Sequence, residues 1–294
     1  MLSKRIINEL LDLGCIILRN ELLSKHCSFR IGGPVDFFIK IPNEAALSFL
    51  LQYVNRKKIY ILGSGSNVLF PDNGYNGIVA TLVGEFKYCF VNKYNITCGG
   101  GTQLSDIVNL TTIHNLTGLE FAIGIPGTIG GATYCNAGLQ TKWISSVING
   151  IEFFNENSQK AYLDRKDISF KYRTSSLNTC IITQVRLKLN KKSKSNYNIN
   201  KYLYHRIQTQ PMSLPNAGSI FKNPIGLNAG KLIEDAQLKG VCIGKAKISE
   251  KHGNFILNTG GACANEVLYL IKLIQAKVKQ KFNITLEPEI KIIK

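Results

Sequence analysis

A chain of 294 residues with 45% hydrophobic, 9% aromatic and 19% charged residues has the make-up of a folded globule, long enough for one large domain or for lobes with cores of their own. The low charged fraction excludes a disordered or fibrous polymer. An excess of 36 Lys and Arg over 19 Asp and Glu leaves +17, a charge that fits nucleic acid, an anionic surface or a nucleotide-like substrate. The lysines are scattered, and their one dense run, Lys191, Lys192 and Lys194, sits among Asn and Ser like a solvated linker. No nucleic-acid partner is therefore expected. The 8 cysteines include no Cys-x-x-Cys pair and no zinc spacing, so reduced thiols and no metal are expected. Glu9 and Asp12 interrupt any apolar leader, and no run approaches the ~18 apolar residues of a membrane span. A cytoplasmic protein without membrane insertion follows as the expectation.

Ile6, Ile7, Leu10, Leu11 and Cys15 recur at near-helical spacing and predict a short amphipathic helix within residues 4 to 17. A strand over 36 to 41 ends at Pro42, a helix follows over 44 to 56, and a strand over 59 to 62 runs into glycine, a βαβ-like opening. Short apolar runs at 68 to 70, 78 to 82, 95 to 98, 148 to 154 and 181 to 189 read as strands. One helix interrupts them at Leu104, Ile107, Val108 and Thr111, stopped by Asn115 and Gly118. Polar residues 190 to 201 read as a linker. Beyond it Ala229, Leu232, Ile233 and Ala236 mark one helix, and Val267, Leu270, Ile271, Ile274 and Val278 mark a longer one. A last strand is expected over 284 to 293. The pattern predicts an α+β fold rather than a doubly wound sheet.

Gly63-Ser64-Gly65-Ser66-Asn67 follows a strand and half-matches a dinucleotide fingerprint. Val68 replaces the third glycine, and Pro71-Asp72-Asn73-Gly74 signals a turn where that fingerprint demands a helix. The loop still offers convergent N–H groups and neutral hydroxyl and amide donors to a phosphate, although a tight turn is the plainer reading of this loop alone. A second loop, Gly124-Ile125-Pro126-Gly127-Thr128-Ile129-Gly130-Gly131-Ala132, packs four glycines into nine residues, and Gly99-Gly100-Gly101 adds a third bare segment. Three such segments on one domain point to a large cofactor against main chain.

Gly63 to Asn67 and the run from Gly118 to Ala132, together with Asn136-Ala137-Gly138, Phe170-Lys171-Tyr172-Arg173-Thr174-Ser175, Ala217-Gly218-Ser219-Ile220-Phe221, Ser249-Glu250-Lys251-His252-Gly253-Asn254 and Leu286-Glu287-Pro288-Glu289-Ile290, resemble the UDP-N-acetylenolpyruvoylglucosamine reductases. The blocks are collinear from about residue 28 to the C-terminus, and the short spacing from Gly240 to Ser249 resembles the shorter type without a tyrosine-bearing insertion. The resemblance implies a vanillyl-alcohol-oxidase-type FAD-binding domain over 1–195, comprising a βαβ-like lobe 1–62 and a glycine-rich lobe 63–195, followed by an α/β substrate-binding domain over 196–294. It implies noncovalent FAD held by Gly63, Ser64, Gly65, Ser66, Asn67, Gly124, Ile125, Pro126, Gly127, Gly130, Gly131 and Ala132, with NADPH as reductant. The implied reaction takes the enolpyruvyl ether of UDP-N-acetylglucosamine to UDP-N-acetylmuramate in peptidoglycan precursor synthesis. No obligate protein partner is implied. Two departures stand out: Leu139-Gln140-Thr141 where the family usually has Ala-Tyr-Gly, and Lys245 where it usually has glycine.

Hydride addition to the enolpyruvyl double bond builds negative charge beside a carboxylate, so the site needs a cation there and a proton for the other carbon. Arg173, permanently charged and bidentate, fits the first need, although an arginine pairing with Asp167 or Glu152 on the surface is the ordinary alternative. By resemblance Ser219 protonates the substrate, whereas a turn serine ordinarily caps nearby N–H groups. By resemblance Glu289 would polarise the intermediate or assist that transfer, against the simpler case of two solvated glutamates on a strand that Pro288 places near an edge or bulge. His252 is expected to be structural or to bind substrate rather than to act as a base. A flavin oxidase of the same fold and a basic nucleic-acid binder are the two competing readings.

Overall fold

The computed structural model describes residues 2–139, 142–191 and 197–293. Lys192 and Lys194 of the expected linker, the expected domain boundary at 195/196, and Gln140 and Thr141 of the departing loop lie outside the described residues. The chain divides into two units, the first made of Met1–Arg19, Phe37–Ser64 and Gly77–Tyr204, the second of Asn20–Asp36, Gly65–Asn76 and His205–Lys294. The second unit thus gathers two early segments with the C-terminal third.

In the first unit, Ser3 caps the helix Lys4–Asp12 by accepting from the Ile6 N–H, and Ile7 and Leu10 are its buried residues. The helix Glu44–Tyr53 starts the same way: Asn43 accepts from the Ala46 N–H at 2.9 Å while its amide donates to the Leu13 carbonyl at 3.1 Å. These helices share a core with a sheet whose strand order is Ile16–Leu22, Pro34–Ile41, Tyr75–Leu82, Ile59–Ile61. Ile59–Ile61 runs parallel to Tyr75–Leu82, so the βαβ opening has a strand inserted between its halves. The outer strand Ile16–Leu22 leaves no strand signal in the sequence because it is an edge strand with exposed Ile16 and Leu22 and no alternation.

The remainder of the first unit is built on an antiparallel five-stranded sheet, ordered Lys160–Asp164, Ile148–Phe154, Ile181–Lys188, Asn95–Gly99, Cys89–Asn92. Its central strand Ile181–Lys188 buries Ile181, Thr183, Val185 and Leu187 on one face while Gln184 and Arg186 on the other are half-buried, and the helices Leu104–Ile113 and Ile129–Tyr134 share its core through Leu104, Ile107, Val108, Ile129 and Ala132. Asn115 and Gly118, both at positive φ, end the first of these helices as expected. The expected linker 190 to 201 is instead structured at both ends: Asn190–Lys191 pairs with Leu116–Thr117, and Tyr197–Thr209 is a helix. Ile199 and Tyr202, one helical turn apart, pack against the core and give that polar segment its anchor.

In the second unit the helix Ala264–Phe282 buries Val267, Leu270, Ile271, Ile274 and Val278, the predicted stripe. Its first N–H groups, those of Ala264 and Asn265, donate to the Asp72 carboxylate at 2.7 and 3.1 Å, so a residue far upstream caps it. An antiparallel sheet of Cys242–Ile243, Ala246–Ile248 and Ile256–Asn258 lies in the same unit. The long strand expected over 284 to 293 reduces to Lys291–Ile292, parallel to Val68–Leu69, plus one bridge between Pro288 and Phe221. The Ile220 N–H that would continue this ladder to the Glu289 carbonyl donates to the Asn254 carbonyl instead, and Glu289 is not on a strand. Lys245 is accommodated without strain: Gly244 takes the positive φ of the Ile243–Ala246 hairpin turn, and Lys245 is exposed. No helix among the described residues is long and apolar enough to cross a membrane.

Candidate active site

Within the first unit the three glycine segments converge. A Cβ on Gly63 would lie 2.8 Å from Thr128 Oγ1, Ser64 Oγ donates to Gln103 Oε1 at 2.9 Å, and Gln103 bridges to Thr128. The Leu104 N–H donates to the Gly127 carbonyl, the Ile129 N–H to Thr102 and the Gly130 N–H to Gly100, at 2.9, 2.8 and 3.0 Å. The sites differ in what they leave over. Gly99, Gly100 and Gly101 are buried, and any Cβ there would strike the Phe86, Ile182 or Leu82 carbonyl within 2.4 Å, so their bareness serves packing. Gly63 and Gly131 are exposed, and the Gly63 and Ser64 N–H groups have no acceptor among the described residues. Gly124 lies at φ 69°, a conformation that favours glycine. Thr133 Oγ1, on the helix that follows, is buried without a partner among the described residues. Bare main chain with unspent donors fits a ligand rich in acceptor oxygens, as FAD is.

Gly65, Ser66 and Asn67 belong to the second unit. Gly65 is buried at φ 63°, and its Cβ would sit 2.2 Å from the His26 carbonyl, so its glycine is required by the chain itself. Asn67 donates from Nδ2 to the Glu289 carbonyl at 3.3 Å and accepts from the Lys291 N–H at 3.0 Å.

Arg173 occupies the turn of the hairpin Phe170–Lys171 to Thr174–Ser175 at φ 55°. One guanidinium N–H donates to the Gly138 carbonyl at 2.9 Å, and the group lies 5.4 Å from the Trp143 ring and 5.8 Å from Tyr172. Buried Asn136 links this hairpin to its neighbour, donating to the Lys171 carbonyl at 2.9 Å and accepting from the Ser145 N–H at 3.2 Å. Ser175 Oγ donates to the Tyr134 carbonyl at 2.6 Å. Glu152, one partner considered for Arg173, instead binds Arg186 at 3.1 Å and Lys160 at 3.5 Å.

Ser219 and Glu289 come together in the second unit. The Asn216 side chain accepts from the Gly218 N–H at 2.9 Å, Gly218 turns the chain at φ 74°, and the next carbonyl but one, that of Ile220, accepts from the Glu289 N–H at 2.8 Å. Asn254 clamps the same segment. Buried to 3% exposure, it accepts from the Phe221 N–H at 2.9 Å and donates to the Phe221 carbonyl at 2.8 Å, while its own carbonyl accepts from the Ile220 N–H at 2.9 Å. Its amide acts as one more rung of a sheet. Glu287 is spent on an exposed pair with Lys222 at 2.5 Å, whereas Glu289 is half-buried. His252 is structural in its contacts: its Nδ1 accepts from the Asn254 N–H at 3.2 Å and its ring meets Phe255 edge-on. Burial, with Lys239 nearby, holds its imidazole below the usual value.

Asn136 and Asn254 carry no site role in the sequence reading. A buried asparagine with both amide ends spent is indistinguishable in sequence from a turn asparagine; its only signal is its place beside an assigned residue's segment. Asn254→Ala leaves two buried Phe221 groups without partners, so the urea-unfolding free energy should fall by about 2–5 kcal/mol. A change below ~1 kcal/mol would show that the clamp contributes nothing.

Residues 35–158 match the family described as FAD binding domain, and residues 210–293 match the C-terminal domain of UDP-N-acetylenolpyruvoylglucosamine reductase. Fold and loops thus define an α+β, FAD-dependent oxidoreductase. A relative of that reductase name from Caldanaerobacter subterraneus subsp. tengcongensis is 41% identical over 296 residues, covering 98% of this chain and 96% of its own. Another from Bacillus cereus is 39% identical over 99% of both chains. The solved reductase of Thermus caldophilus aligns at TM-score 0.84 and 32% identity, covering 95% of this chain and 100% of its own. The chain belongs to the UDP-N-acetylenolpyruvoylglucosamine reductase family.

Proposed function

We propose that this protein reduces the enolpyruvyl ether of UDP-N-acetylglucosamine to UDP-N-acetylmuramate with NADPH, as a cytoplasmic step of peptidoglycan precursor synthesis. The observation that carries the reading is the backbone pairing between the segments that hold Ser219 and Glu289, in which the Glu289 N–H donates to the Ile220 carbonyl and Asn216 and Asn254 hold the Ser219 segment. Residues 1–195 serve the cofactor and 196–294 the substrate; the two family matches fall on either side of that division.

When bound, FAD supplies the hydride. Gly63, Ser64, Gly65, Ser66, Asn67, Gly124, Ile125, Pro126, Gly127, Gly130, Gly131 and Ala132 hold it, the unspent Gly63 and Ser64 N–H groups supplying hydrogen bonds to acceptor oxygens. Arg173 grips the substrate carboxylate, on which charge grows as the double bond is reduced; its guanidinium is already oriented by Gly138 and flanked by two rings. Ser219 delivers a proton to the enolpyruvyl C2. Glu289 polarises the intermediate or assists that transfer.

Purified protein given NADPH and the enolpyruvyl ether should yield a product heavier by two hydrogen atoms. Rapid reoxidation of the flavin by air, with no response to UDP sugars, would sink the reductase reading in favour of an oxidase. A colourless preparation with salt-sensitive RNA binding would overturn it outright. Gly63 to Asn67 contains no His or Cys to form a flavin link, so acid precipitation should release all the yellow colour into the supernatant. Colour retained on the precipitate would disprove noncovalent binding.

A further inference from the structure

Cys89 and Cys98 stand directly opposite each other on neighbouring antiparallel strands, with their sulfur atoms 3.3 Å apart. Their rung is fixed by its neighbour: the Gly99 N–H donates to the Tyr88 carbonyl at 2.9 Å, which makes 88 and 99 a hydrogen-bonded pair and 89 and 98 the non-hydrogen-bonded pair beside it. Cα atoms in such a pair are about 4.5 Å apart, inside the span a disulfide accepts. The sulfurs need to approach by only about 1.3 Å to reach bonding distance. Cys98 has no exposure, whereas Cys89 is half-buried. We propose that this pair is a reversible oxidation site, in which hydroperoxides convert Cys89 and Cys98 to a cross-strand disulfide.

The chemistry divides along the difference in access. Cys89 as thiolate attacks the O–O bond of hydrogen peroxide, forming a sulfenic acid and releasing hydroxide. Cys98 then attacks the Cys89 sulfur, the S–O bond breaks, and the departing oxygen leaves as water with the Cys98 proton. Two thiols lose two electrons, one peroxide gains them, and two waters form. The contact between the thiols holds Cys89 below the usual thiol range, and the same contact together with burial raises Cys98. Other thiols ionise less readily: burial pushes buried Cys15 and half-buried Cys180 up to about 11 and also raises buried Cys27. Capture by Cys98 stops Cys89 before irreversible sulfinic acid. That guards the sheet whose next residues, Gly99 to Gly101, support the second glycine loop through the Gly100 carbonyl.

The test uses the FAD-loaded protein treated with increasing hydrogen peroxide, quenched in acid and alkylated during denaturation. Trypsin cuts at Lys93, between the two cysteines, so a disulfide appears as a linked peptide pair two hydrogens lighter than its parts, abolished by dithiothreitol. The peptide holding Cys98 also holds Cys135, and a Cys135→Ser background makes the link unique. In Cys98→Val, or Cys98→Ala if valine is not accommodated, the link should vanish and Cys89 should accumulate a dimedone adduct. Both cysteines remaining fully alkylatable at peroxide doses that oxidise exposed Cys242 would overturn the proposal. So would a Cys98 variant in which Cys89 takes up no dimedone.

Discussion

Replacing Ser219 by alanine is expected to leave flavin reduction by NADPH at its normal rate and to slow reoxidation by the enolpyruvyl ether by roughly 10²-fold or more, the scale for losing a positioned proton donor. The geometry makes this a clean substitution. Segment 218 to 221 is held by the Gly218, Ile220 and Phe221 backbone groups, by Asn216 and Asn254, and by the Glu289 N–H, none of which involves the Ser219 hydroxyl. Stopped-flow absorbance separates the two phases. Equal slowing of the NADPH phase would point to damaged flavin binding, and unchanged reoxidation would move the proton source to another group.

For Arg173→Lys, kcat/KM for the enolpyruvyl ether should drop by roughly 10²-fold or more while flavin content stays at the wild-type ratio. Lysine keeps the charge and tolerates the left-handed φ no worse than arginine does. It cannot, however, donate to the Gly138 carbonyl and present two parallel N–H groups to a carboxylate together. Near-normal turnover with full flavin content would remove Arg173 from the carboxylate site.

Strong periodicity was readable in advance wherever one face is buried. Ile148–Phe154 and Ile181–Lys188 alternate or run apolar because they form the middle of a sheet, and the stripe from Val267 to Val278 is one face of a long helix. Ile16–Leu22 was hidden because an edge strand needs no buried face, and Tyr197–Thr209 because two anchors suffice to dock a helix of polar composition. Alternation from Ile284 to Ile292 is real, but the pairing is limited to the Phe221–Pro288 bridge and to Lys291–Ile292, because the Ile220 N–H that would extend the bridge donates to Asn254.

The candidate site divides in the same way. Glycine loops show in sequence because bare main chain has one residue type, yet composition alone does not tell a glycine that meets a ligand from one that meets a carbonyl. Gly63 and Gly99 have the same letter and different neighbours. Arg173, Ser219 and Glu289 were assigned by resemblance, while Asn136 and Asn254, which hold the backbone around them, emerged only from their hydrogen bonds.

The Asp72 cap has a consequence for the order in which the protein is made. Asp72 leaves the ribosome long before Ala264 and Asn265, as Val68 and Leu69 do before Lys291 and Ile292, and Phe29 before Asn258, whose amide donates to its carbonyl at 3.1 Å. The early segments of the second unit therefore stay unpaired until residues 258 to 292 have been synthesised. Such distant pairings close slowly, and a nascent chain paused near residue 200 exposes Leu69 and Phe70, both buried in the finished protein, to chaperones and to other chains. A piece beginning at residue 205 lacks Asp72, which caps the helix Ala264–Phe282, and Val68–Leu69, which pairs with Lys291–Ile292, so it cannot complete the second unit by itself.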